Sequence, residues 1–218
     1  MNIFLDTSDV DVIRQHCETG LIDGVTTNPT LMMQAGRDPV EVIKEISSLF
    51  TENASISAEV VGDTAKQMIS QAEDYYSISK NITIKVPCTA EGLRACKTLS
   101  DKDIPVNVTL IFSLEQAILS AKAGATYVSP FIGRCEDNNI DGIDLIKSIK
   151  KVYNGIMNNI STNILAASIR SVAHIGQAFE AGADVVTLPP SIFEEMYKHN
   201  LTDQGIKQFD KDWKKLNS

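Results

Sequence analysis

Residues 123–129 of this chain are Ala-Gly-Ala-Thr-Tyr-Val-Ser, and residues 181–187 are Ala-Gly-Ala-Asp-Val-Val-Thr. In each copy, a glycine of the kind that ends a helix leads into a short apolar run that is typical of a buried strand. Two copies of one helix–strand unit favour a fold in which helices and strands alternate. Since many helix-to-strand turns look alike, the rest of the chain has to support the alternation.

Similar apolar runs recur along the whole chain, separated by stretches with helical spacing. One such stretch runs from Leu114 to Ala121, with apolar residues at i, i+3, i+4 and i+7. Ser113 and Ser191 each fit the first position of a capping box that opens a helix. The eight predicted strands are residues 3–5, 24–26, 56–60, 82–86, 105–109, 126–129, 164–167 and 184–188.

Eight strands with intervening helices predict a single (β/α)8 TIM barrel domain over residues 1–218. An open doubly wound sheet is the alternative, but no Gly-x-Gly-x-x-Gly turn follows the first strand. One helix is left over at about residues 203–216. Its stripe of Ile206, Phe209, Trp213 and Leu216 could cover its own barrel or pack on a neighbouring subunit, and the residues alone favour the first.

The composition excludes several classes of protein. The 218 residues include 20 Lys and Arg against 28 Asp and Glu, a formal net charge of −8, and 43% are hydrophobic. Without a basic stripe to meet phosphates, we expect no nucleic-acid partner and no membrane partner. No apolar run reaches the ~18 residues of a membrane-spanning helix, and we expect no signal peptide.

The cysteines and histidines point to a reduced protein without a metal site. The four cysteines form no Cys-x-x-Cys pair, which favours free thiols and a cytoplasmic location. Three histidines give a zinc site little to build on.

Lys85 is the residue that is hardest to explain structurally. In residues 82–86, Ile-Thr-Ile-Lys-Val, alternation turns Thr83 and Lys85 into the barrel and the aliphatic residues toward the helices. Burial lowers the pKa of a lysine amine and makes it a nucleophile, for which a Schiff base with a carbonyl substrate is the natural use. A buried lysine paired with a carboxylate is the alternative.

Other strands carry polar residues at the same end, where barrel active sites form. Any one of them could be a satisfied core group or a helix cap, Asp6 in particular. In the fifth strand, alternation places Asn107 and Thr109 on one face and Leu110 on the other. The polar positions on the first seven strands include Asp6, Asn28, Ser57, Glu59, Asn107, Thr109, Ser129 and Ser168.

Two arginines follow neighbouring strands. Arg134 comes after the sixth strand and Arg170 after the seventh. Singly, each fits a surface position, but together they suggest a phosphate clamp, because a guanidinium binds phosphate with two parallel hydrogen bonds. With no nucleotide-binding loop in the chain, a phosphorylated small metabolite is the preferred ligand.

Six stretches resemble the transaldolases, and more narrowly the short subfamily that also includes the fructose-6-phosphate aldolases. Their order and spacing agree from Phe4 to Trp213. The stretches are residues 5–7 (Leu-Asp-Thr), 24–30 (Gly-Val-Thr-Thr-Asn-Pro-Thr), 84–93 (Ile-Lys-Val-Pro-Cys-Thr-Ala-Glu-Gly-Leu), 107–113 (Asn-Val-Thr-Leu-Ile-Phe-Ser), 129–134 (Ser-Pro-Phe-Ile-Gly-Arg) and 166–170 (Ala-Ala-Ser-Ile-Arg).

The resemblance implies class I aldolase chemistry without a metal or an organic cofactor. Lys85 matches the Schiff-base lysine. Asp6 matches the acid/base that takes the proton from the C4 hydroxyl as the C3–C4 bond breaks. Glu59 and Thr109 match the pair that positions a catalytic water.

The resemblance also implies a substrate site and an assembly. Sugar phosphates would be the substrates, and short members tend to form ring-shaped pentamers or decamers in which the C-terminal helix reaches a neighbour. The implied substrate-binding residues are Thr26 beside Asp6, Asn28, Asn107 and Ser129 for the hydroxyls of the dihydroxyacetone unit, and Arg134, Ser168 and Arg170 for the phosphate.

One loop departs from what a phosphate site needs. Residues 135–142 bring Glu136, Asp137 and Asp141 close to Arg134. We expect these carboxylates to weaken the attraction of Arg134 for a phosphate.

Two positions favour transaldolase over aldolase. The aldolases of this family resemble one another in having Gln where this chain has Glu59 and Tyr where it has Phe131. Phe131 has no hydroxyl with which to protonate a bound carbanion. The sequence therefore predicts a transaldolase of the pentose phosphate pathway, with three alternatives: a fructose-6-phosphate aldolase, a non-catalytic sugar-phosphate-binding barrel, and a phosphosugar epimerase or isomerase without a covalent adduct.

Overall fold

Eight parallel strands close into a barrel in the computed structural model, which describes residues 1–155 and 160–216. Each strand pairs with the next along the chain, and the last pairs with the first. The predicted (β/α)8 barrel is therefore confirmed, and the open doubly wound sheet is wrong. The strands are β1 (Asn2–Asp6), β2 (Gly24–Thr26), β3 (Ser55–Glu59), β4 (Ile82–Pro87), β5 (Val106–Ile111), β6 (Tyr127–Pro130), β7 (Asn163–Ala166) and β8 (Val185–Leu188).

Helices separate the strands and surround the barrel. They are α1 (Val10–Cys17), α2 (Pro29–Ala35), α3 (Pro39–Ser48), α4 (Ala65–Tyr76), α5 (Ala90–Ser100), α6 (Leu114–Lys122), α7 (Ile132–Glu136), α8 (Gly142–Tyr153), α9 (Val172–Glu180), α10 (Pro190–Glu195) and α11 (Asn200–Leu216). None of them is long and apolar enough to cross a bilayer.

The predicted helix starts are half right. The Ser113 side chain accepts the Gln116 N–H and caps α6 as expected, but the box is not reciprocal, since Gln116 Oε1 accepts the Phe112 N–H. The predicted capping box at Ser191 is wrong, because α10 already begins at Pro190 and carries no side-chain cap. Proline fits the first helical position with its fixed φ, so the helix starts one residue before the serine.

The repeated segments end their helices as predicted. Gly124 and Gly182 follow the C-caps of α6 and α9 with φ of +87° and +100°, values that favour glycine. A Cβ at Gly124 would also lie 2.2 Å from the Ser100 hydroxyl oxygen. Both helix-to-strand turns therefore depend on glycine.

The apolar residues form two separate cores. Outward-facing side chains, among them Ile82, Ile84 and Val86, pack against the helices in the larger core, as alternation predicts. A second, small cluster fills part of the barrel interior with Phe4, Leu165, Ala167 and Val185. These four residues come from β1, β7 and β8 or directly follow β7, which leaves the interior faces of β3 to β5 to polar side chains.

The C-terminal helix α11 does not cover its own barrel, so the core-packing prediction for its stripe is wrong. None of its residues is buried, and the exposed fractions of Ile206, Phe209, Trp213 and Leu216 are 54%, 75%, 68% and 80%. By the start of α11, α9 already packs against β8, and α10 packs against β1. The barrel is thus closed and covered before this helix begins.

Candidate active site

A cavity of about 420 Å³ opens at the carboxyl ends of the strands. Its wall is formed by residues from most strands of the barrel and from the loops and short helices that follow them. Eleven of the twelve predicted site residues line it, and the exception is Arg170. The eleven are Asp6, Thr26, Asn28, Glu59, Lys85, Asn107, Thr109, Ser129, Phe131, Arg134 and Ser168.

Lys85 projects from β4 into this cavity. It is only 5% exposed, and its Nζ donates a hydrogen bond to the Thr27 carbonyl at 3.0 Å. Nζ also lies 2.9 Å from Oε2 of Glu59, because the two residues are direct partners in the register of β3 and β4. The alternative prediction was a buried lysine paired with a carboxylate, and the pairing itself is confirmed. The same amine also lies where a carbonyl group in the cavity can reach it.

Asp6 ends β1 beside this pair. Its Oδ1 accepts a hydrogen bond from the Thr26 hydroxyl at 2.8 Å. Burial raises the pKa of Asp6, while the charge of Lys85 and the Thr26 hydrogen bond partly offset that rise. Asp6 does not cap a helix, since Asp9 is the N-cap of α1. Its carboxyl group is thus positioned to exchange protons within the cavity.

Thr109 presents a buried hydroxyl to the same cavity. The residue is 1% exposed, and its Oγ1 has no hydrogen-bond partner among the described residues. A buried hydroxyl that stays unpaired is costly, so a polar molecule bound there would satisfy it.

The backbone after Thr109 departs from the predicted alternation. Leu110 adopts φ of +61°, and the register of β5 against β6 shifts between Val108 and Ile111. Leu110 consequently lines the cavity beside Thr109, and its predicted outward orientation is wrong. A leucine in this conformation is strained by about 1–2 kcal/mol, and such strain concentrates at functional sites.

A chain of buried hydrogen bonds crosses the wall beside Lys85. The Ser129 hydroxyl donates to Asn107 Oδ1 at 2.6 Å, and Asn107 Nδ2 donates to Ser57 Oγ at 3.3 Å. These bonds fix the orientation of the Asn107 amide. Asn28 Oδ1 accepts the Leu31 N–H at 3.0 Å and caps α2. The alternative that a polar residue at this end of the barrel is a helix cap is therefore correct for Asn28, whose side-chain nitrogen is left for a ligand.

The two arginines predicted to bind phosphate lie in different surroundings. The guanidinium of Arg134 lies 5.0 Å from the centre of the Phe131 ring, within the cavity wall. Arg170 lies outside that wall and bonds both carboxylate oxygens of Asp137 through its two terminal nitrogens. This pairing holds the pKa of Asp137 below its usual range. The structure therefore does not bring both arginines into the cavity.

The acidic loop residues have partners other than Arg134. Asp137 pairs with Arg170, Glu136 Oε2 lies 3.3 Å from His174 Nε2, and the Asp141 side chain caps α8. The direct contacts of all three are therefore with other groups, but the charge of Arg134 also helps to lower the pKa of Asp137, so the expectation holds in part for that residue.

Some cavity residues were missed by the sequence reasoning. The Thr187 hydroxyl lies 2.6 Å from the Thr26 hydroxyl and so extends the network of Asp6. The sequence does mark Thr187, because it is a polar residue among the apolar residues of β8. It also ends the second repeated segment, where Ser129 ends the first. Gln34 on α2 also lines the cavity, and no pattern in its helix marks it.

The chemical groups in the cavity are an amine, two carboxylates, hydroxyls, amides and one guanidinium. Together they can form an imine, move protons and hold an anion. Across residues 1–155 and 160–216, no three His, Cys, Asp or Glu side chains are grouped to hold a metal ion.

Comparison with known proteins gives one consistent family. The family model described as Transaldolase/Fructose-6-phosphate aldolase matches residues 3–218. A relative from Caulobacter vibrioides (strain NA1000 / CB15N), named "Probable transaldolase", is 51% identical over 213 residues, which are 98% of this chain and 96% of the relative. A relative of the same name from Paracoccus denitrificans (strain Pd 1222) is 52% identical over 215 residues, 99% of this chain and 97% of its own length.

Two solved structures share the fold at low sequence identity. Thiamine phosphate pyrophosphorylase from Pyrococcus furiosus has a TM-score of 0.59 and 16% identity, covering 86% of this chain and 85% of its own. A mutant flavocytochrome b2 with benzoylformate has a TM-score of 0.63 and 12% identity, covering 87% of this chain and 57% of its own. At these identities the likeness concerns the barrel alone.

Proposed function

Because this chain belongs to the transaldolase/fructose-6-phosphate aldolase family, we propose that it is a transaldolase whose Lys85 forms a Schiff base with its donor. It would transfer a dihydroxyacetone unit from sedoheptulose 7-phosphate or fructose 6-phosphate to glyceraldehyde 3-phosphate or erythrose 4-phosphate, in the pentose phosphate pathway. The observation that carries the proposal is the Lys85 amine, buried in the cavity with Glu59 2.9 Å away and Asp6 beside it.

Imine formation begins with a proton transfer. Glu59 is placed to take a proton from the Lys85 ammonium group, and the free amine then attacks the C2 carbonyl of the ketose phosphate. The carbinolamine hydroxyl leaves as water once it is protonated. Glu59 and the unpaired Thr109 hydroxyl are the groups that would hold this water and return it for hydrolysis.

Carbon–carbon cleavage follows from the protonated imine. Asp6 takes the proton of the C4 hydroxyl, the C3–C4 bond breaks, and its electron pair neutralises the iminium as an enamine. The aldose phosphate leaves, and the dihydroxyacetone unit remains on Lys85 until an acceptor aldehyde arrives. A base with a raised pKa suits this step, because it takes the proton of the C4 hydroxyl more readily than an ordinary aspartate does.

The fate of the bound enamine separates a transaldolase from an aldolase. An aldolase has to protonate the carbanion and release free dihydroxyacetone. Phe131 lines the cavity without a hydroxyl, and its ring packs edge-on with Phe112 and lies 5.0 Å from the Arg134 guanidinium. The lack of a hydroxyl at this position supports a long-lived enamine that waits for an acceptor.

The deciding experiment is a product partition with fructose 6-phosphate, with and without erythrose 4-phosphate. We expect sedoheptulose 7-phosphate only with the acceptor, and little free dihydroxyacetone without it. Accumulation of dihydroxyacetone in the absence of acceptor would make the protein a fructose-6-phosphate aldolase.

Borohydride trapping with fructose 6-phosphate tests the covalent step. Mass spectrometry should locate the reduced adduct on Lys85, and the exposed Lys80, which lies over the Tyr76 ring, should remain unmodified. No adduct would contradict the Schiff base and favour a non-catalytic sugar-phosphate-binding barrel or an isomerase.

We also propose that the protein is a cytoplasmic homo-oligomer. Four free cysteines support a reducing compartment. The exposed side chains of Ile206, Phe209 and Leu216 on α11 support burial against a second copy. Sedimentation is expected to give a species of five or ten chains, and a monomer would contradict the proposal.

A further inference from the structure

The guanidinium of Arg170 lies outside the cavity and is bound by a carboxylate. Asp137, the residue directly after α7, accepts hydrogen bonds from both terminal nitrogens of Arg170. Both side chains are about half exposed, at 47% for Arg170 and 49% for Asp137. An ion pair with this exposure is weak, since water solvates both charges when it opens.

Arg170 nevertheless lies at the rim of the cavity. It follows the cavity-lining Ser168 by two residues, and its side chain passes over Gly133, the neighbour of the cavity-lining Arg134. The approach is so close that a Cβ at Gly133 would lie 2.6 Å from Arg170 Nε. A change of side-chain rotamer is the movement required to turn the guanidinium from Asp137 toward the cavity.

A phosphate and a carboxylate bind the same two N–H groups of a guanidinium. Arg170 can therefore offer this edge to Asp137 or to a substrate phosphate, but not to both. Arg134 differs, because it already lines the cavity beside the Phe131 ring.

From this geometry, and resting on the function proposed above, we propose that Asp137 is a positioning residue that competes with the substrate phosphate for Arg170. The phosphate, with up to two negative charges, displaces the carboxylate and recruits Arg170 to the rim. An unphosphorylated sugar leaves the Asp137–Arg170 pair closed. Asp137 thereby sets the KM for phosphorylated substrates and limits how tightly they are held.

The test compares Asp137→Asn with the unchanged protein on two substrate pairs. With fructose 6-phosphate and erythrose 4-phosphate, KM is expected to fall about two- to fivefold, the range that loss of one exposed ion pair corresponds to. The value of kcat should stay the same. With fructose and erythrose, which carry no phosphate, neither constant should change. An unchanged or higher KM for fructose 6-phosphate would overturn the proposal.

Matched variants separate release of Arg170 from a simple change of charge. Glu136→Gln removes the neighbouring carboxylate, which contacts His174 and acts on Arg170 through its charge alone, and Glu45→Gln breaks a remote double-contact pair with Arg37. Glu45→Gln should leave KM for fructose 6-phosphate unchanged, and Glu136→Gln should lower it less than Asp137→Asn does. Asp137→Glu should restore part of the original KM, and Asp137→Asn should have no effect in an Arg170→Gln background. If Asp137→Asn still lowered KM in the Arg170→Gln background, Asp137 would act through its charge and not through Arg170, which would overturn the proposal.

Binding of inorganic phosphate, measured by calorimetry on the full-length chain, needs no turnover. Asp137→Asn should lower the dissociation constant by the same factor as KM, and equal constants would contradict the role of Asp137. The two proposals fail separately. Failure of borohydride trapping with every donor would contradict the proposed Schiff base, but the calorimetry would still decide whether Asp137 competes with phosphate.

Discussion

Oε2 of Glu59 and Nζ of Lys85 lie 2.9 Å apart because β3 and β4 pair these two residues side by side. Neighbouring inward-facing positions of parallel strands hold their side chains close together, so the barrel itself brings the base to the amine. In the proposed mechanism, Lys85 would therefore start each cycle with a proton acceptor in contact.

Glu59→Gln keeps the shape of the side chain and removes its basicity. We expect the rate of borohydride-trappable adduct formation to fall about 10²–10⁴-fold, the usual contribution of a positioned base. Rapid-quench trapping with fructose 6-phosphate measures this rate. Glu73→Gln, which breaks a surface pair with Lys102, is the control and should trap at the original rate. Equal rates for Glu59→Gln would assign the base to another residue.

Thr26→Val should move the acidic limb of the kcat/KM profile to higher pH. The Thr26 hydroxyl donates to Asp6 and lowers its pKa, so its loss lets the pKa rise further. In the proposed mechanism, cleavage needs the ionised form of Asp6, so activity should fall as the pH drops through that pKa. Thr187→Val removes the other partner of Thr26, leaves the bond to Asp6, and should shift the limb less. A stationary limb in Thr26→Val would mean that a different group titrates.

Asp6→Asn should stabilise the protein while abolishing cleavage. Burial raises the folded-state pKa of Asp6, so the folded protein holds this proton more tightly than the unfolded chain. Stability is then lost as the pH rises from the ordinary aspartate pKa through the raised one. The variant should melt a few degrees higher at neutral pH, and the gain should shrink toward acidic pH. Thermal unfolding across pH checks this, with the exposed Asp11→Asn as the control that leaves Tm nearly unchanged.

Two helical glycines should respond oppositely to alanine. A Cβ at Gly92 in α5 would lie 2.0 Å from the Pro87 carbonyl oxygen, so Gly92→Ala should cost roughly 1–3 kcal/mol or more. Gly176 in α9 is exposed with nothing within 4 Å of its Cβ position, so Gly176→Ala should gain about 0.8–1.0 kcal/mol from helix propensity. Urea denaturation measures both. A loss at Gly176 would contradict the open surroundings described for it.

Phe131→Tyr should raise the release of free dihydroxyacetone from fructose 6-phosphate when no acceptor is present. The new hydroxyl would lie in the cavity wall and could organise a proton for the bound enamine. Phe112→Tyr is the matched control, because Phe112 packs against Phe131 but does not line the cavity. We expect it to release no more dihydroxyacetone than the unchanged protein does. Equal release from both variants would show that the position of the hydroxyl does not matter.

The barrel could be predicted because its strands obey simple rules of burial. Lys85 and Glu59 interrupt apolar runs at alternate positions, and such an interruption indicates an inward-facing polar group. Gly124 and Gly182 mark helix ends through a backbone conformation that only glycine adopts freely.

The remaining details depend on long-range contacts that no local pattern carries. Leu110 faces inward because of a local bulge, although its position in the alternation predicts the opposite. Arg170 pairs with Asp137, which lies 33 positions earlier in the chain on a different loop of the barrel rim. The exposure of the α11 stripe likewise follows from where the barrel closes, since its periodicity alone favours burial in the core.

The separation of the two cores has a consequence for how such a protein can change over time. The helix-facing core supplies most of the apolar burial, while the polar interior of β3 to β5 contributes chemistry. Substitutions on the inner faces of these strands therefore leave the helix-facing core intact, and those that exchange one hydrogen-bonding side chain for another can keep the buried network satisfied. The same scaffold can acquire a new substrate range one inner side chain at a time, and directed evolution of this chain would be most productive there.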